Sequence, residues 1–358
     1  MLVKTTGKLD FSGQNLYIGI DAHAKSWMVS IYSDELELKT FSQTPEVDKL
    51  SDYLVKHYPG AGYKLAYEAG FCGFWMQRAF KERNIECSVI HPGDVPTSDK
   101  ERKRKQDKVD SRKIARGLRN NELNAVFIPD EQQEADRQLL RSRARITRDL
   151  TSVKNRIKAF LKVRGIEVPA ELGQGTWSSA FIQWLNSLEF AQASNKFSLS
   201  AYTDELLFLM NKQKQLLKAI VELSKTEYYQ HNVRLLKTIP SIGSLSAMII
   251  LTEIGNINRF KKPEHFFSYC GITPNCHSSG EKDYTGGVSK RGNSIMKTLL
   301  IECAWVAVRK DPVLLQYYKQ QLPKMHTNKA IIKVAKKLAN RIRFVLRQQQ
   351  EYVIGVVE

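Results

Sequence analysis

The sequence predicts an α/β domain at the N-terminus, a helical coiled-coil middle and a mainly α C-terminal domain. Short apolar runs with strand composition alternate with helical patterns up to about residue 90. Apolar residues then recur every seven positions from residue 139, and helices with turn signals between them follow from residue 235. We place the three domains at residues 12–125, 130–230 and 232–348.

The composition indicates an intracellular protein with an affinity for polyanions. The chain has 55 Lys and Arg against 37 Asp and Glu, and its net charge of +18 makes nucleic acid the first candidate partner. It has neither an apolar run long enough to cross a membrane nor a signal peptide, so we expect a cytoplasmic location and no membrane partner. Its five cysteines are scattered and lack CxxC spacing, which favours reduced thiols.

Alternating strands and helices make up the predicted N-terminal domain. The strands are Leu16–Ile20, Trp27–Tyr32, Leu36–Phe41, Tyr63–Tyr67 and Ile85–Ile90, and the helices are Pro45–His57 and Gly70–Arg83. Short polar turns join the first three strands, which is typical of an antiparallel meander. Because strand–helix alternation follows, we expect a mixed sheet.

Four acidic residues of this domain are candidates for one site. Asp21 ends the first predicted strand and Glu68 ends the fourth, and a carboxylate at such a strand end is poorly solvated unless it is paired or binds metal. Asp107 and Asp110 lie in the basic segment Lys100–Arg119, where a spacing of three puts both on one helix face. Converging carboxylates suit two Mg²⁺ ions and phosphoryl transfer. The alternative is a solvated helix whose acids pair with Lys and Arg.

A strand Asp, a strand Glu and then a helical DxxD resemble the ribonuclease H/RuvC-like nuclease fold. The helical acids follow a run of cations that we expect to contact nucleic acid, namely Arg102, Lys103, Arg104 and Lys105.

Two heptad seams occupy the middle of the chain. The first consists of Leu139, Ile146, Val153 and Phe160, with Leu150 and Ile157 between them and one break at Arg143. The second consists of Leu206, Leu209, Leu216, Ile220 and Leu223. The seams predict either an antiparallel helix pair within one chain or a coiled coil that joins two chains.

The third region begins with a helix at Leu235, a short hairpin over Ile239–Gly243, and a second helix from Ser244 with Gly255 as its C-cap. Backbone N–H groups near Ile242 and Gly243 can bind a phosphate at such a helix start. The arrangement resembles the helix-hairpin-helix DNA-binding element, and an ordinary helical turn is the alternative.

A segment rich in Gly, Ser and Lys follows, and its composition predicts a long loop over Gly271–Asn293. Its candidate functional residues are Ser278, Ser279, Lys282, Lys290 and Arg291. A hydroxyl among cations is either a nucleophile for a phosphodiester or part of a phosphate-clamping loop. Helices over Ser294–Arg309 and Lys329–Arg347 complete the chain.

Taken together, ordered motifs over most of the chain resemble one family, the DEDD transposases of insertion sequences of the IS110 group. That group includes Piv-type DNA invertases and bridge-RNA-guided recombinases. The matching motifs are GIDAHAKSW (Gly19–Trp27), YEAGFCGFW (Tyr67–Trp75), KQDKVDSRKIA (Lys105–Ala115), TIPSIGSLSA (Thr238–Ala247), INRFKKPEHFFSYCGITP (Ile257–Pro274) and SSGEKDYTGGVSKRGN (Ser278–Asn293).

The resemblance implies a RuvC-like domain whose four carboxylates, Asp21, Glu68, Asp107 and Asp110, bind Mg²⁺. It also implies a serine that becomes joined to DNA, for which Ser279 is preferred and Ser278 is the second choice. Implied partners are target and donor DNA, a structured guide RNA, and further copies of the chain in a dimer or tetramer. The implied location is the prokaryotic cytosol or nucleoid.

Two other functions compete with a serine recombinase. One is a RuvC-like, Mg²⁺-dependent, structure-selective endonuclease that uses activated water, with the SSG segment as a DNA clamp. The other is a nucleic-acid-binding scaffold whose acids are structural.

Overall fold

The computed structural model describes residues 10–95, 107–173, 177–279, 282–288 and 291–355, with the side chains of 107–108, 275–279 and 282–286 left out. The chain divides into two compact units, Met1–Ile128 and Pro129–Glu358. The predicted division into three domains stays a prediction.

A five-stranded mixed sheet forms the first unit, with the strand order β3-β2-β1-β4-β5. Its elements are β1 (Asn15–Ala22), β2 (Trp27–Tyr32), β3 (Glu37–Gln43), α1 (Val47–His57), β4 (Gly62–Glu68), α2 (Trp75–Glu82), β5 (Glu86–Ile90) and α3 (Asp107–Arg119). β1, β2 and β3 pair antiparallel, whereas β4 is parallel to both β1 and β5. The predicted meander and mixed sheet are therefore confirmed.

The helix predicted over Gly70–Arg83 begins later than the pattern indicated. Residues 69–74 form turns, and α2 starts only at Trp75. Gly73 has a φ of +57°, a left-handed conformation that a continuous α-helix excludes.

Both faces of the sheet are covered. Leu16, Ile18 and Ile20 of β1 pack in one hydrophobic cluster with residues of α1 and α2. The alternate residue Tyr17 packs with Ala115 of α3 on the opposite face. Such double burial explains why β1 is an almost continuous apolar run.

Close packing between β1 and α3 depends on one glycine. A Cβ atom at Gly19 would lie 2.1 Å from the backbone O of Ser111, so no other residue allows this approach. The Ser111 hydroxyl lies 2.8 Å from that of Ser30 on β2, and Arg112 donates to Glu37 of β3 at 2.9 Å. These contacts fix α3 across the sheet.

The second unit starts with two long helices and a shorter one. They are α4 (Glu131–Val163), α5 (Ser179–Ser187) and α6 (Ala193–Leu223). α4 and α6 pack antiparallel within the chain, because hydrogen bonds join α4 positions 147 and 156 and the C-cap residue Arg164 to α6 positions 213, 205 and 195, in reverse order. The intrachain alternative is therefore present, and a coiled coil between chains stays a prediction.

The break in the first seam separates two hydrophobic clusters. Leu140 belongs to the cluster of the C-terminal helices, whereas Leu150 and Val153 belong to the cluster that α4 forms with α5 and α6. Arg143 lies between them, and burial lowers its pKa. A half-buried cation thus interrupts the apolar stripe where the clusters change.

Helices dominate the rest of the unit. They are α7 (Glu227–Lys237), α8 (Ser244–Ile254), α9 (Pro263–Tyr269), α10 (Ser294–Lys310), α11 (Pro312–Gln321) and α12 (Thr327–Gln348). The predicted start of α8 at Ser244 is confirmed, and Gly255 follows it with a φ of +66°. Helix α11 was not predicted, although an Asp311 N-cap and Pro312 at the first turn are a standard helix start.

The segment Gly271–Asn293, predicted to be a long loop, instead contains a β-hairpin. Its strands are β6 (Pro274–Ser279) and β7 (Lys282–Val288), paired antiparallel. The prediction was wrong because Gly and Ser were weighed as loop signals, whereas Tyr284 and Thr285 favour strands and Ser279 pairs with Lys282 across a two-residue connection.

Within the described ranges, none of the helices combines the length and the apolarity that a membrane crossing requires. Cys72, Cys87, Cys270 and Cys303 are buried free thiols, as expected for reduced cysteines.

Candidate active site

Asp21 is the penultimate residue of β1, and Glu68 is the last residue of the neighbouring parallel strand β4. The last paired residues of β1 and β4 are Ile20 and Tyr67, so Asp21 and Glu68 are the next residues in register. Parallel strands lie about 4.8 Å apart, and residues in register share a face of the sheet. The structure therefore brings these two predicted acids to the same end and face of the sheet.

Helix α3 carries Asp110 toward the same end. Ser111 lies over Gly19, whereas Leu118, farther along the helix, packs with Tyr17. α3 therefore runs antiparallel to β1, and the helical turn that precedes Ser111 lies toward the carboxyl end of β1. Three of the four predicted acids thus belong to neighbouring parts of one face.

Two basic side chains contact these acids, and the sequence analysis assigned a role to neither. His23 Nδ1 lies 3.4 Å from Asp21 Oδ1, and Lys113 Nζ lies 3.2 Å from Asp110 Oδ1. The Lys113 side chain is only 6% exposed, so its ammonium depends on such partners. Its three-residue spacing from Asp110 on a helix was a usable signal.

The donor atoms suit magnesium, although the structure describes only part of the set. The side chain of Asp107 and all of residues 96–106, including the predicted DNA-contacting cations 102–105, lie outside the described residues. Among the side chains that are described, no three His, Cys, Asp or Glu groups lie close enough to hold a metal ion. Carboxylate oxygens are nevertheless the ligand type that Mg²⁺ prefers, so the ligand atoms of these residues suit that ion chemically.

Exposed aromatic side chains follow Glu68 directly. Phe71 is 71% exposed and Trp75 is 50% exposed, at the turn that leads into α2. The Trp75 ring lies 6.2 Å from that of the buried Trp27, which supports it from below. Exposed aromatic rings beside a strand end suit stacking on nucleotide bases.

The structure places both candidate serines on β6. Ser278 pairs with Asp283 and Ser279 with Lys282, at the end of the hairpin farthest from its root. Their side chains and that of Lys282 lie outside the described set, as does Lys290. Arg291 is exposed and directly precedes Gly292.

Two glycines hold the root of the hairpin together. A Cβ atom on Gly292 would lie 2.2 Å from Gly271 Cα, and Gly271 has a φ of +66°. The backbone N–H of Asn293 donates to Tyr269 O at 2.7 Å. The chain segments that enter and leave the hairpin are therefore in direct backbone contact.

A buried carboxylate joins this root to the long helix α4. Glu253 is 1% exposed and accepts two hydrogen bonds from Arg141, at 2.7 and 2.8 Å. It also accepts from Asn293 Nδ2 at 2.8 Å, and Tyr269 donates to its backbone O at 2.6 Å. These hydrogen bonds to Glu253 raise the pKa of Arg141 above its usual range.

This network was not predicted from the sequence. An ionisable Glu253 near the end of the otherwise apolar helix α8 was the available signal.

The hairpin between α7 and α8 is less accessible than predicted at one position. The Ile242 side chain is buried in the core, and its N–H already donates to Ile239 O. Gly243 is the N-cap residue of α8. Contact of Ile242 and Gly243 with nucleic acid stays a prediction.

Comparison with known sequences defines the class of protein. The profile of the transposase IS116/IS110/IS902 family matches residues 233–319, and the DEDD transposase profile of IS110 type matches residues 18–164. The first match contains the described part of the serine hairpin, and the second contains all four predicted acids. Both indicate a DNA transposase.

Individual relatives agree. A protein of Sinorhizobium fredii, y4qE, named as a candidate transposase, is 30% identical over 67% of this chain and 57% of its own length. The transposase for insertion sequence element IS1533 of Leptospira borgpetersenii is 25% identical over 82% of this chain and 85% of its own. The pilin gene-inverting protein of Moraxella bovis is 28% identical over 42% and 46%. The chain belongs to the IS110/IS116 family of transposases, a class of enzymes that cut and rejoin DNA.

Proposed function

We propose that the protein is an insertion-sequence transposase that acts as a site-specific recombinase through a serine–DNA covalent intermediate. The observation that carries the proposal is the placement of Asp21 and Glu68 in register at the ends of β1 and β4, with α3 directing Asp110 to the same end. Partly buried acids grouped at strand ends are costly unless they bind cations, which makes a purely structural role the weakest alternative.

In this proposal the four carboxylates hold Mg²⁺, which supplies Lewis-acid stabilisation of a scissile phosphate when bound. Asp21 and Glu68 are fixed by the sheet, and Asp110 is fixed by α3 through the contacts of Ser111 and Arg112. Rigid placement matters because the ligands must not reorganise as charge develops in the transition state.

The serine step conserves the energy of the phosphodiester. The Ser279 hydroxyl oxygen attacks phosphorus and loses its proton, and the bond from phosphorus to the leaving deoxyribose oxygen breaks as that oxygen is protonated. The product is one phosphoserine ester and one free DNA hydroxyl. Attack by a hydroxyl of another DNA end then restores a phosphodiester and releases the serine. Ser278 is the second candidate for this role.

Nucleic acid would be held chiefly by basic side chains. The net charge of +18, the cations 102–105 and Arg291 favour contacts with phosphates, and Phe71 and Trp75 suit stacking on bases. We include a structured guide RNA among the partners on the strength of the family resemblance, because charge does not distinguish RNA from DNA.

Strand exchange requires paired DNA sites, which implies a dimer or tetramer. Phe197 and Phe208 of α6 are 79% and 60% exposed. They are eleven positions apart, about three helical turns, and so share one face of the helix. An exposed aromatic stripe on a long helix is a candidate contact between copies.

A trapping assay tests the proposal. Full-length protein is incubated with element-end DNA, Mg²⁺ and any RNA that copurifies with it, and products are resolved under denaturing conditions. We expect a protein–DNA adduct with the wild type and with Ser278→Ala, and none with Ser279→Ala.

The remaining outcomes separate the alternatives. Cleavage without an adduct, unaffected by either serine substitution, would replace the proposal with the endonuclease that uses activated water. An adduct lost only in Ser278→Ala would move the nucleophile by one position.

A further inference from the structure

The second unit contains a cavity of about 850 Å³ that the proposed chemistry does not use. It lies between α9, α11, α12 and the root of the serine hairpin, where Pro274, Gly287 and Val288 line it. Cavities of roughly 300–1,000 Å³ are the size that encloses small organic groups in proteins.

Helix α12 gives this cavity a cationic wall. Lys329, Lys333, Lys336 and Lys337 all line it and are all exposed. Their spacing of four, three and one residues places them on one side of the helix. The other side, which includes Ala335 and Leu338, is buried in the core, and Lys333 Nζ also donates to Gln321 Oε1 of α11 at 3.0 Å.

Aromatic rings line the cavity next to these lysines. The buried Phe267 of α9 and the half-buried Tyr317 of α11 line the cavity. Lys336 Nζ lies 5.0 Å from the Phe267 ring centroid, and Lys337 Nζ lies 5.3 Å from that of Tyr317. Among the described residues that line the cavity, Glu264 is the one acidic residue, against four lysines.

Aromatic surface beside clustered cations is the combination that binds single-stranded nucleic acid. Bases stack on the rings, and the flanking phosphates contact the cations. A base within a duplex is already stacked and paired, so it does not enter such a cavity unless it is first turned out of the helix.

We infer that this cavity binds one unstacked nucleotide of a nucleic-acid strand, with its base against Phe267 and Tyr317 and its neighbouring phosphates on the α12 lysines. The inference rests on the proposed function for its nucleic-acid partner. It adds a defined binding site at the root of the hairpin. Along β6, the five residue steps from Pro274 at this root to Ser279 span about 17 Å.

Binding measurements on the full-length protein test the inference. The probes are fluorescently labelled oligothymidine, oligouridine and a thymidine–adenosine DNA duplex, each about 20 nucleotides long and so longer than typical single-strand sites. Binding is followed by anisotropy without Mg²⁺ in a Ser279→Ala background, so that neither cleavage nor the adduct affects the result. A 2-aminopurine in the oligothymidine reports stacking through quenching.

The test variants are Lys333→Gln with Lys337→Gln, and separately Tyr317→Leu. The matched control is Lys214→Gln with Lys218→Gln, two exposed lysines of α6 that carry the same charge change. We expect the cavity pair to weaken single-strand binding about tenfold and to reduce the slope of log affinity against log salt by about 1.4. We expect the control pair and duplex binding to change by less than about twofold, since neither depends on this cavity.

Tyr317→Leu is expected to reduce the 2-aminopurine quenching and to leave the salt slope unchanged. Equal losses for duplex and single strand, or for the cavity pair and the control pair, would overturn the inference and leave only a diffuse electrostatic surface. Tighter binding of oligouridine than of oligothymidine would identify RNA as the strand, and the reverse would identify DNA. Adduct formation in the trapping assay is measured separately, so a failure of the serine mechanism is distinguishable from a failure of this site.

Discussion

The acidic residues of the first unit and the serine hairpin of the second carry the proposed chemistry, but different structures hold them in place. Asp21 and Glu68 stand at the ends of central strands that are buried on both faces. Ser278 and Ser279 stand on a two-stranded hairpin, a structure that is marginal by itself. The hairpin therefore depends on its root, where Gly271 contacts Gly292 and the buried network of Glu253 begins.

Packing therefore fixes the position of the acids in the first unit, whereas a few polar contacts fix the position of the hairpin in the second. Substitutions at these acids should affect chemistry without affecting folding. Substitutions at the hairpin root should affect both.

The largest effect is expected at the acids. Asp21→Asn, Glu68→Gln and Asp110→Asn each remove a charge proposed to hold Mg²⁺, and DNA cleavage should fall by about 10³-fold or more. The measurement is Mg²⁺-dependent cleavage together with DNA binding, and binding should be retained. Glu35→Gln, an exposed acid of the same unit, is the control and should cleave normally. Cleavage within about tenfold of wild type in the acid variants would contradict the assignment.

The next effect is expected at the hairpin root. Glu253→Gln removes the carboxylate that pairs with the half-exposed Arg141. The free energy of unfolding should fall by about 3 kcal/mol, which is the lower end of the range of losses for breaking a buried ion pair. Chemical denaturation measures this, and the trapping assay should show less adduct at a temperature where the variant is folded.

The control for that substitution is Glu222→Gln, which breaks the exposed pair with Lys225 and should leave the denaturation midpoint unchanged, because solvent screens exposed ion pairs. Equal adduct yields for Glu253→Gln and wild type would show that the network is structural and does not position the hairpin.

A third test concerns the approach of α3 to the sheet. Gly19→Ala places a Cβ atom 2.1 Å from a backbone oxygen, and we expect a loss of about 1–3 kcal/mol in stability together with reduced cleavage. Gly70→Ala is the control, because its Cβ atom would meet nothing closer than 3.9 Å. Unchanged stability and cleavage in Gly19→Ala would show that the helix does not need this close contact.

The smallest effect is a dependence on pH in the first unit. Burial raises the pKa of Glu37, but hydrogen bonds from Thr40, Tyr32 and Arg112 outweigh it, so the net pKa is lowered. Because folding lowers the pKa, the ionised Glu37 carboxylate stabilises the fold at pH values above the ordinary glutamate pKa of about 4.3. This stabilisation is lost as the pH falls through the pKa of the folded state.

Because the Glu37 side chain is 31% exposed, its contribution should be below about 1 kcal/mol. Unfolding of wild type and Glu37→Gln should differ at pH 7 and converge in acid. A difference that grows as the pH falls would contradict this account.

Local sequence patterns were sufficient to predict much of this fold. The strands and helices of the first unit were predictable because alternation and helical periodicity are local, and Asp21 and Glu68 were found because they end such runs. The hairpin was missed because the Gly and Ser content of the segment resembles that of a loop and outweighed the strand preference of Tyr284 and Thr285.

Long-range contacts account for what the sequence did not predict. The bonds of Glu253 reach Arg141 and Asn293, which are 112 and 40 positions away, and no local pattern links such residues. The lysine-lined cavity needed four separate elements to be brought together. The helix that carries these lysines was predicted, but the aromatic rings beside them come from separate elements and were not.

The most direct test of the central claim is to identify the atom joined to DNA. The trapped adduct is digested with nuclease and protease, and the remaining nucleotide is located on its peptide by mass spectrometry. The account predicts a nucleotide phosphoester on Ser279, absent from Asp21→Asn protein treated in the same way. Cleaved DNA without any modified peptide, or a nucleotide on a residue outside the Ser278–Ser279 pair, would contradict it.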